Sequence, residues 1–293
     1  MRGDNKRPRR ERNRLDHILP QGYLEGFTNP RHPGNLSIYN CKRRIWFESG
    51  TRGVCAERGF YDFSIGTNPP LTADKAFKEL ESGFPKLRRE LAVNGFAGWE
   101  QHLEFLLTFA QMLRARSRLF REHVISSGQN LTMGRVDKVT PVPSKNRPGE
   151  FDSEVKFTPI GKGAERDRAL KNKSIMDMCA EIAKGPDWMG RLNWCVRLAC
   201  DSTDPVVTAD DAIIATGSIP ALSAAFFDQH TRVFFPICWQ ACLIGSPSKP
   251  ANLTGLFETA ALSDIRSLYM TSPRRFAYSP VRLAYTPTSH HFT

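Results

Sequence analysis

The hydrophobic period of this chain changes twice, and that change limits what it can fold into. From residue 72 to 127, apolar side chains recur every three or four positions, first as Phe77, Leu80, Phe84, Leu87 and Leu91, then as Leu103, Leu106, Leu107, Ala110 and Leu113. This spacing lines one face of an α-helix. After Gly190, Leu192, Trp194, Val196, Leu198 and Cys200 alternate with Asn193, Cys195, Arg197 and Ala199, the period of two that marks a strand. Further strands are predicted at residues 36–39 and 44–47, which suit a hairpin, and at 154–158, 206–208, 232–237 and 241–244. Pro236 demotes the 232–237 piece to an edge or bulged position. Helices are predicted at 174–183 and 256–270. The pattern is α+β, with β-rich N- and C-terminal parts around a central group of helices, and not an alternating doubly wound fold.

Within the helical stretch, Thr72 suits an N-cap, Gly83 and Pro85 are expected to break the first helix, and residues 99–124 are expected to form one continuous second helix. Residues 128–173 carry turn formers and charges with little period, and are expected to be a long irregular connection. A chain of 293 residues has room for a large single core, because cores stop growing near ~250–300 residues. The expected organisation is a disordered basic tail over residues 1–15, a single α+β domain over 16–280 and a flexible tail over 281–293.

No apolar stretch follows the basic start, as a secretory signal would require. The longest uncharged runs, 212–227 and 233–248, fall short of the ~18–20 residues that cross a bilayer, so no membrane partner is expected. The seven cysteines are odd in number and contain no C-x-x-C pair. They read as reduced, mostly buried thiols, which places the protein in the cytoplasm.

Lys and Arg exceed Asp and Glu by 11, which favours an anionic partner such as nucleic acid or a phosphorylated ligand. Residues 1–14 hold seven basic and two acidic side chains, a net of +5. Nearly half the excess therefore lies in the tail, as a nucleic-acid-binding arm or as a solvated leader. The next concentration is Arg114, Arg116, Arg118 and Arg121. On one continuous helix Arg114, Arg118 and Arg121 share a face and form a strip able to clamp phosphates. The competing reading is a solvated face paired with acids such as Glu122.

No phosphate loop, dinucleotide fingerprint, nucleophile elbow, zinc-protease pair or kinase set occurs, which removes the commonest motif-bearing enzyme classes. Chemistry then rests on local groups. His17 and Gln21 flank Pro20, a residue suited to opening a short helix. A His and a Gln there can hold an anion or activate water, or His17 can simply hydrogen-bond the backbone. Asp210 and Asp211 follow a strand-like run, where carboxylates serve as a base or as ligands for Mg²⁺ or Mn²⁺, and where Asp also forms turns. Arg118 and His123 make an Arg-x4-His phrase similar to the signature of the higher-eukaryote-and-prokaryote nucleotide-binding ribonucleases, which implies toxin-like RNA cleavage. Cys195 with Cys200, and Cys238 with Cys242, lack zinc-site spacing, so no structural zinc is expected.

Several of these phrases stand in an order that resembles the family known as domain of unknown function 4238. The opening His17-Ile18-Leu19-Pro20-Gln21-Gly22-Tyr23-Leu24 with Phe27 is similar to its His-x-Val-Pro-x-x-Tyr-Leu-x-x-Phe phrase. Leu36-Ser37-Ile38-Tyr39 and Cys55-Ala56-Glu57-Arg58-Gly59-Phe60-Tyr61 resemble the strand and acidic-aromatic element that follow, and Gln111 with Arg114 its mid-chain helix phrase. Val207 to Ile213, Phe234-Phe235-Pro236 and Arg275-Phe276-Ala277-Tyr278-Ser279 are similar to its later elements. Leu19 replaces the usual Val, and Asp211-Ala212 stand where Asn-Pro is usual. The resemblance carries no reaction with it.

The functional expectation is a protein acting on a phosphate-containing or nucleic-acid substrate, a nuclease-like hydrolase. In it His17 is the general acid/base, Asp210 a metal ligand or second base, and Arg114 the phosphate clamp, with Arg118 and Arg121 adding cations and Gln21 and Gln111 positioning substrate. The alternative is a non-catalytic nucleic-acid-binding or interaction module using the tail, the arginine strip and Lys162 to Lys173.

Overall fold

A computed structural model describes residues 15–63, 71–72, 77–129, 134–143, 151–160, 163–187, 189–216, 230–270 and 275–283. The basic tail through residue 14, Lys162 and the tail from residue 284, with His290 and His291, lie outside them; Thr72, expected as an N-cap, stands instead in a short strand, and the helix begins at Lys78 behind Phe77. Leu15, assigned by sequence to the tail, opens the first strand.

The elements run β1 (Leu15–His17), α1 (Gln21–Leu24), β2 (Asn35–Asn40), β3 (Ile45–Gly50), β4 (Ala56–Arg58), β5 (Asp62–Phe63), β6 (Leu71–Thr72) and α2 (Lys78–Val93). Then follow α3 (Leu103–Arg116), α4 (Arg118–Gln129), β7 (Gly134–Pro143), β8 (Phe151–Pro159), α5 (Ala164–Ala183), β9 (Asn193–Leu198), β10 (Thr208–Ala209) and β11 (Ile214–Ala215). The chain closes with β12 (Val233–Cys238), β13 (Ala241–Ser246), β14 (Thr254–Leu256), α6 (Thr259–Met270) and β15 (Phe276–Ser279). Two larger sheets organise these strands, one in the order β10-β15-β2-β3 and one in the order β11-β12-β13-β9-β14. The fold is α+β, as the changes of period imply.

Three expectations are corrected. The 99–124 helix is not continuous: Ser117 adopts extended backbone (ψ 153°) between α3 and α4, and its hydroxyl accepts the Phe120 amide at 3.1 Å, a side-chain cap that starts a new helix. Pro85 does not break α2, which runs through it. The missing amide costs one helical bond, but Phe84, Leu87 and Leu91 on the same helix are buried, and that burial outweighs the loss. Residues 128–173 are not an irregular connection, because β7 and β8 pair as a long antiparallel hairpin with an irregularity between Val136 and Lys138, and α5 begins at Ala164, ten residues before the predicted start. The Pro236 expectation agrees with the structure, where β12 carries a bulge between Pro236 and Cys238.

Alternation distributes the sheets' side chains between two cores. Trp194, Val196, Val233, Phe235, Ile237 and Leu243 face the main core with α1, α2 and α3, whereas Phe234, Cys242 and Ile214 face a second core closed by Leu262, Ile265 and Tyr269 of α6. In the main core Phe84 and Phe109 stack at 3.9 Å and 8°, with Phe235 and Tyr23 around them. The Tyr23 hydroxyl, 2.9 Å from the Thr208 hydroxyl, donates to the Pro236 carbonyl at 2.9 Å, which ties α1 to both sheets. Arg88 of α2 donates to the Gly22 carbonyl at 2.8 Å, satisfying a helix-end carbonyl of α1.

Arg116 joins the N-terminal ribbon to the helices. Its side chain is 1% exposed, lies between the rings of Tyr61 (4.8 Å) and Phe77 (4.9 Å), donates to the Tyr61 hydroxyl and the His17 carbonyl, and pairs with Glu81 of α2. Burial alone would pull the guanidinium's pKa down, but Tyr61 and Glu81 hold it above its ordinary value. Replacing Arg116 with Ala is expected to lower the unfolding free energy by about 3–5 kcal/mol, the usual cost of breaking a buried charge network. Tyr23→Phe, which leaves Thr208 and the Pro236 carbonyl short of a partner, is expected to cost about 1–3 kcal/mol. Urea denaturation of the two variants checks both.

Candidate functional site

The sequence-predicted residues fall in three separate places. Gln111 and Arg114 lie in the contact between α3 and α5. The Gln111 amide donates to the Glu181 carbonyl at 3.0 Å, and the Arg114 guanidinium sits 3.4 Å from the Gln111 side-chain oxygen and 3.9 Å from the Glu181 carboxylate. Burial lowers the pKa of Arg114, opposed by Glu181. These two residues hold helices together, α3 against α5. The break at Ser117 also removes the single arginine strip, since Arg114 is on one helix and Arg118 and Arg121 are on the next.

His17 and Gln21 share a groove with Lys78, Glu81 and Ser82 of α2. The His17 ring nitrogen Nε2 is 3.3 Å from the Arg52 carbonyl oxygen, the backbone-bonding arrangement that was the alternative reading of this histidine. Arg121 stacks on Phe60 at 4.5 Å. His123 is exposed on α4, and five residues of helix separate it from Arg118 by roughly 140° of rotation. The ribonuclease-like pair therefore does not converge within this chain.

Asp210 and Arg118 do come together. They line one cavity of about 220 Å³ with Ile38, Phe47, Cys55, Arg275, Phe276 and Tyr278. Two local rules build it. Asp210 follows β10 directly, and its own amide donates to the Phe276 carbonyl at 3.2 Å, so its carboxylate caps the start of β15, accepting the amides of Arg275 (3.2 Å) and Phe276 (3.4 Å). The register Thr208↔Tyr278, Tyr278↔Ile38 and Ile38↔Phe47 then sets these side chains in one row across the sheet. The opposite wall is the segment entering β4, where Ile18 donates to the Cys55 carbonyl at 2.8 Å. Arg118, the first residue of α4, reaches in while pairing with Glu57 at 3.2 Å.

Burial pushes the Asp210 carboxyl up to about 6, reinforced by the neighbouring charge of Asp211 and opposed by the two backbone amides. Burial likewise pushes the Cys55 thiol up to about 12, with Asp210 adding to the effect. The thiol is therefore neutral at physiological pH and not a nucleophile. Cys55 also holds a left-handed backbone (φ +49°), strained for a residue with a Cβ. An acid that titrates near neutrality in a cavity that a guanidinium also lines can exchange a proton with a bound anion. Among the described residues, no group of three or more His, Cys, Asp and Glu side chains is arranged to hold a metal ion, and Asp210 and Asp211 give no more than a pair. Nor is any described helix long and apolar enough to cross a membrane.

Residue-type reasoning singled out Asp210 and Arg118 but missed Cys55, Arg275 and Tyr278. The last three stand inside phrases of the family resemblance, the one signal that pointed to their positions.

A raised carboxyl favours the folded state below its unfolded value, and that contribution disappears as pH rises through the folded value. Against an Asp210→Asn reference, wild-type protein is therefore expected to lose about 2 kcal/mol of stability between pH 4 and pH 7, most of what moving a carboxyl from near 4 to about 6 contributes over its full range. Denaturation of both proteins across that range checks it.

Neither a curated protein nor a solved structure matches the chain. The family described as "Protein of unknown function (DUF4238)" matches residues 16–253, a span that runs from the β1 ribbon through β13 and includes Cys55, Arg118 and Asp210. The chain belongs to that family.

Proposed function

We propose that the protein is a hydrolase acting on a phosphate-containing substrate at the Asp210 cavity, with Asp210 as general acid/base and Arg118 as the phosphate clamp. The observation that carries this reading is the meeting of an acid titrating at about 6 and a guanidinium in one cavity. In its neutral form Asp210 would give a proton to the leaving oxygen as the phosphorus–oxygen bond breaks. Attack of water supplies the new oxygen, and Arg118 would stabilise the charge on the phosphoryl oxygens. His17 and Gln21 belong to the adjoining groove, and β1 places His17 in register with Ala56, which lines the Asp210 cavity. In this reading the acid–base role that the sequence suggested for His17 passes to Asp210.

Purified protein assayed on a panel of phosphate monoesters, phosphate diesters, RNA and DNA tests the reading. Asp210→Asn is expected to lower turnover by roughly 10²–10⁴-fold and Arg118→Gln by a similar order, and wild-type activity should fall as pH rises through about 6. A His17→Ala variant as inactive as Asp210→Asn would move the chemistry to the groove and overturn the assignment. Salt-sensitive nucleic-acid binding without turnover would favour a non-catalytic module instead.

A further inference from the structure

We infer that the face of β12, β13 and β9 that α6 covers in part carries a second site, which binds an amphipathic monoanion: an aliphatic carboxylate whose head meets Arg197 and whose tail covers an apolar floor. The groove there has a volume of about 730 Å³ and shares no lining residue with the Asp210 cavity. It falls within the roughly 300–1,000 Å³ of sites that enclose small ligands.

Sheet register builds the floor. Pairing sets Phe234, Ile244 and Cys195 side by side on neighbouring strands, and all three line the groove. Along one side stands α6, fixed there by the Tyr269 hydroxyl, which meets the Ala212 and Phe234 carbonyls at 2.9 and 3.2 Å. Leu268 of α6 and Leu256 of β14, the latter 64% exposed, extend the apolar lining. An exposed apolar strip bordered by polar groups marks a ligand groove.

Charge sets the kind of ligand. Arg197 follows Cys195 on β9 and Arg232 precedes Phe234 at the start of β12, so the two cations flank the floor from opposite ends. Burial raises the pKa of the Cys195 thiol between them, and both guanidinium charges oppose that rise. Arg197 is half-buried and lies across Gly255, its register partner on β14, where an added Cβ would come within 3.7 Å of Nη1. Nη1 donates to the Val196 and Asn252 carbonyls at 3.1 and 3.2 Å, which orients the group and leaves the donors on Nε and Nη2 to meet a carboxylate. Glu258 and Asp264 also line the groove, so a dianion is repelled where a monoanion is held.

Titration calorimetry of the full chain with decanoate at pH 8 tests the inference. Wild-type protein is expected to bind it saturably, while acetate does not bind, and decyltrimethylammonium and decyl phosphate, a dianion at that pH, bind at least tenfold more weakly. Arg197→Gln should weaken decanoate binding about tenfold, the loss of a hydrogen-bonded charge. Since a half-buried arginine also serves the fold, Ala261→Glu is the second variant. It adds a negative charge to the groove from an exposed position on α6 and should weaken decanoate comparably at an unchanged thermal midpoint. Asp210→Asn should bind decanoate as wild type does, which separates this site from the proposed function. No saturable decanoate binding, equal binding of the decyl cation or of decyl phosphate, or full affinity in Ala261→Glu would overturn the inference, and loss of decanoate binding in Asp210→Asn would overturn the separate site.

Discussion

A buried guanidinium would ordinarily be a liability, because taking a charge out of water costs several kcal/mol unless it is paired and hydrogen-bonded. Arg116 meets that demand from four directions at once: the Tyr61 hydroxyl, the His17 carbonyl, the Glu81 carboxylate and the faces of Tyr61 and Phe77. The partners come from three stretches of chain, at His17, at Tyr61 and at the start of α2 with Phe77 and Glu81. The β1–β4 ribbon, the Phe60–Tyr61 turn, α2 and the end of α3 are thereby held in one arrangement. The wall of the Asp210 cavity depends on it, since Cys55 and Ala56 belong to the ribbon that Arg116 pins through His17.

On the other side of the cavity the constraint is sheet register. The pairing of β15 with both β10 and β2 places Tyr278 between Thr208 and Ile38, and the Asp210 carboxylate closes the end of that pairing by accepting two backbone amides. The carboxyl is thus held in place by a structural task while its environment keeps it close to neutral pH. Structural capping and a carboxyl raised into the range near 6 by burial fall on the same group.

Much of the architecture was legible from period alone. The β2–β3 hairpin, the alternation of β9, the buried faces of α2 and α3, and the bulge forced by Pro236 follow from residue spacing. The failures have identifiable causes. The break at Ser117 turns on one backbone angle and one hydroxyl cap, which a run of good helix formers on both sides conceals. Pro85 was overruled by the burial of Phe84 and Leu87. The β7–β8 hairpin has too little alternation in its sequence to announce itself, because a ribbon of two strands makes its backbone bonds without needing a core face.

The site divides along the same line. From residue chemistry alone, Asp210 and Arg118 could be named as candidates, but so could Arg114, Gln111, His17 and Gln21, since charge and polarity look alike in a linear text. Arg116, the most deeply buried cation of that run, was indistinguishable from its neighbours. Sequence by itself determined the mixed fold class, the family and the elements that repeat with a clear period. Only tertiary structure decided which polar residues hold helices together and which face a cavity. The physical reason is that desolvation, register and partner geometry are properties of contacts between distant segments: Asp210 acquires its raised pKa only when β10, β15, β2 and the Cys55 segment are brought against one another.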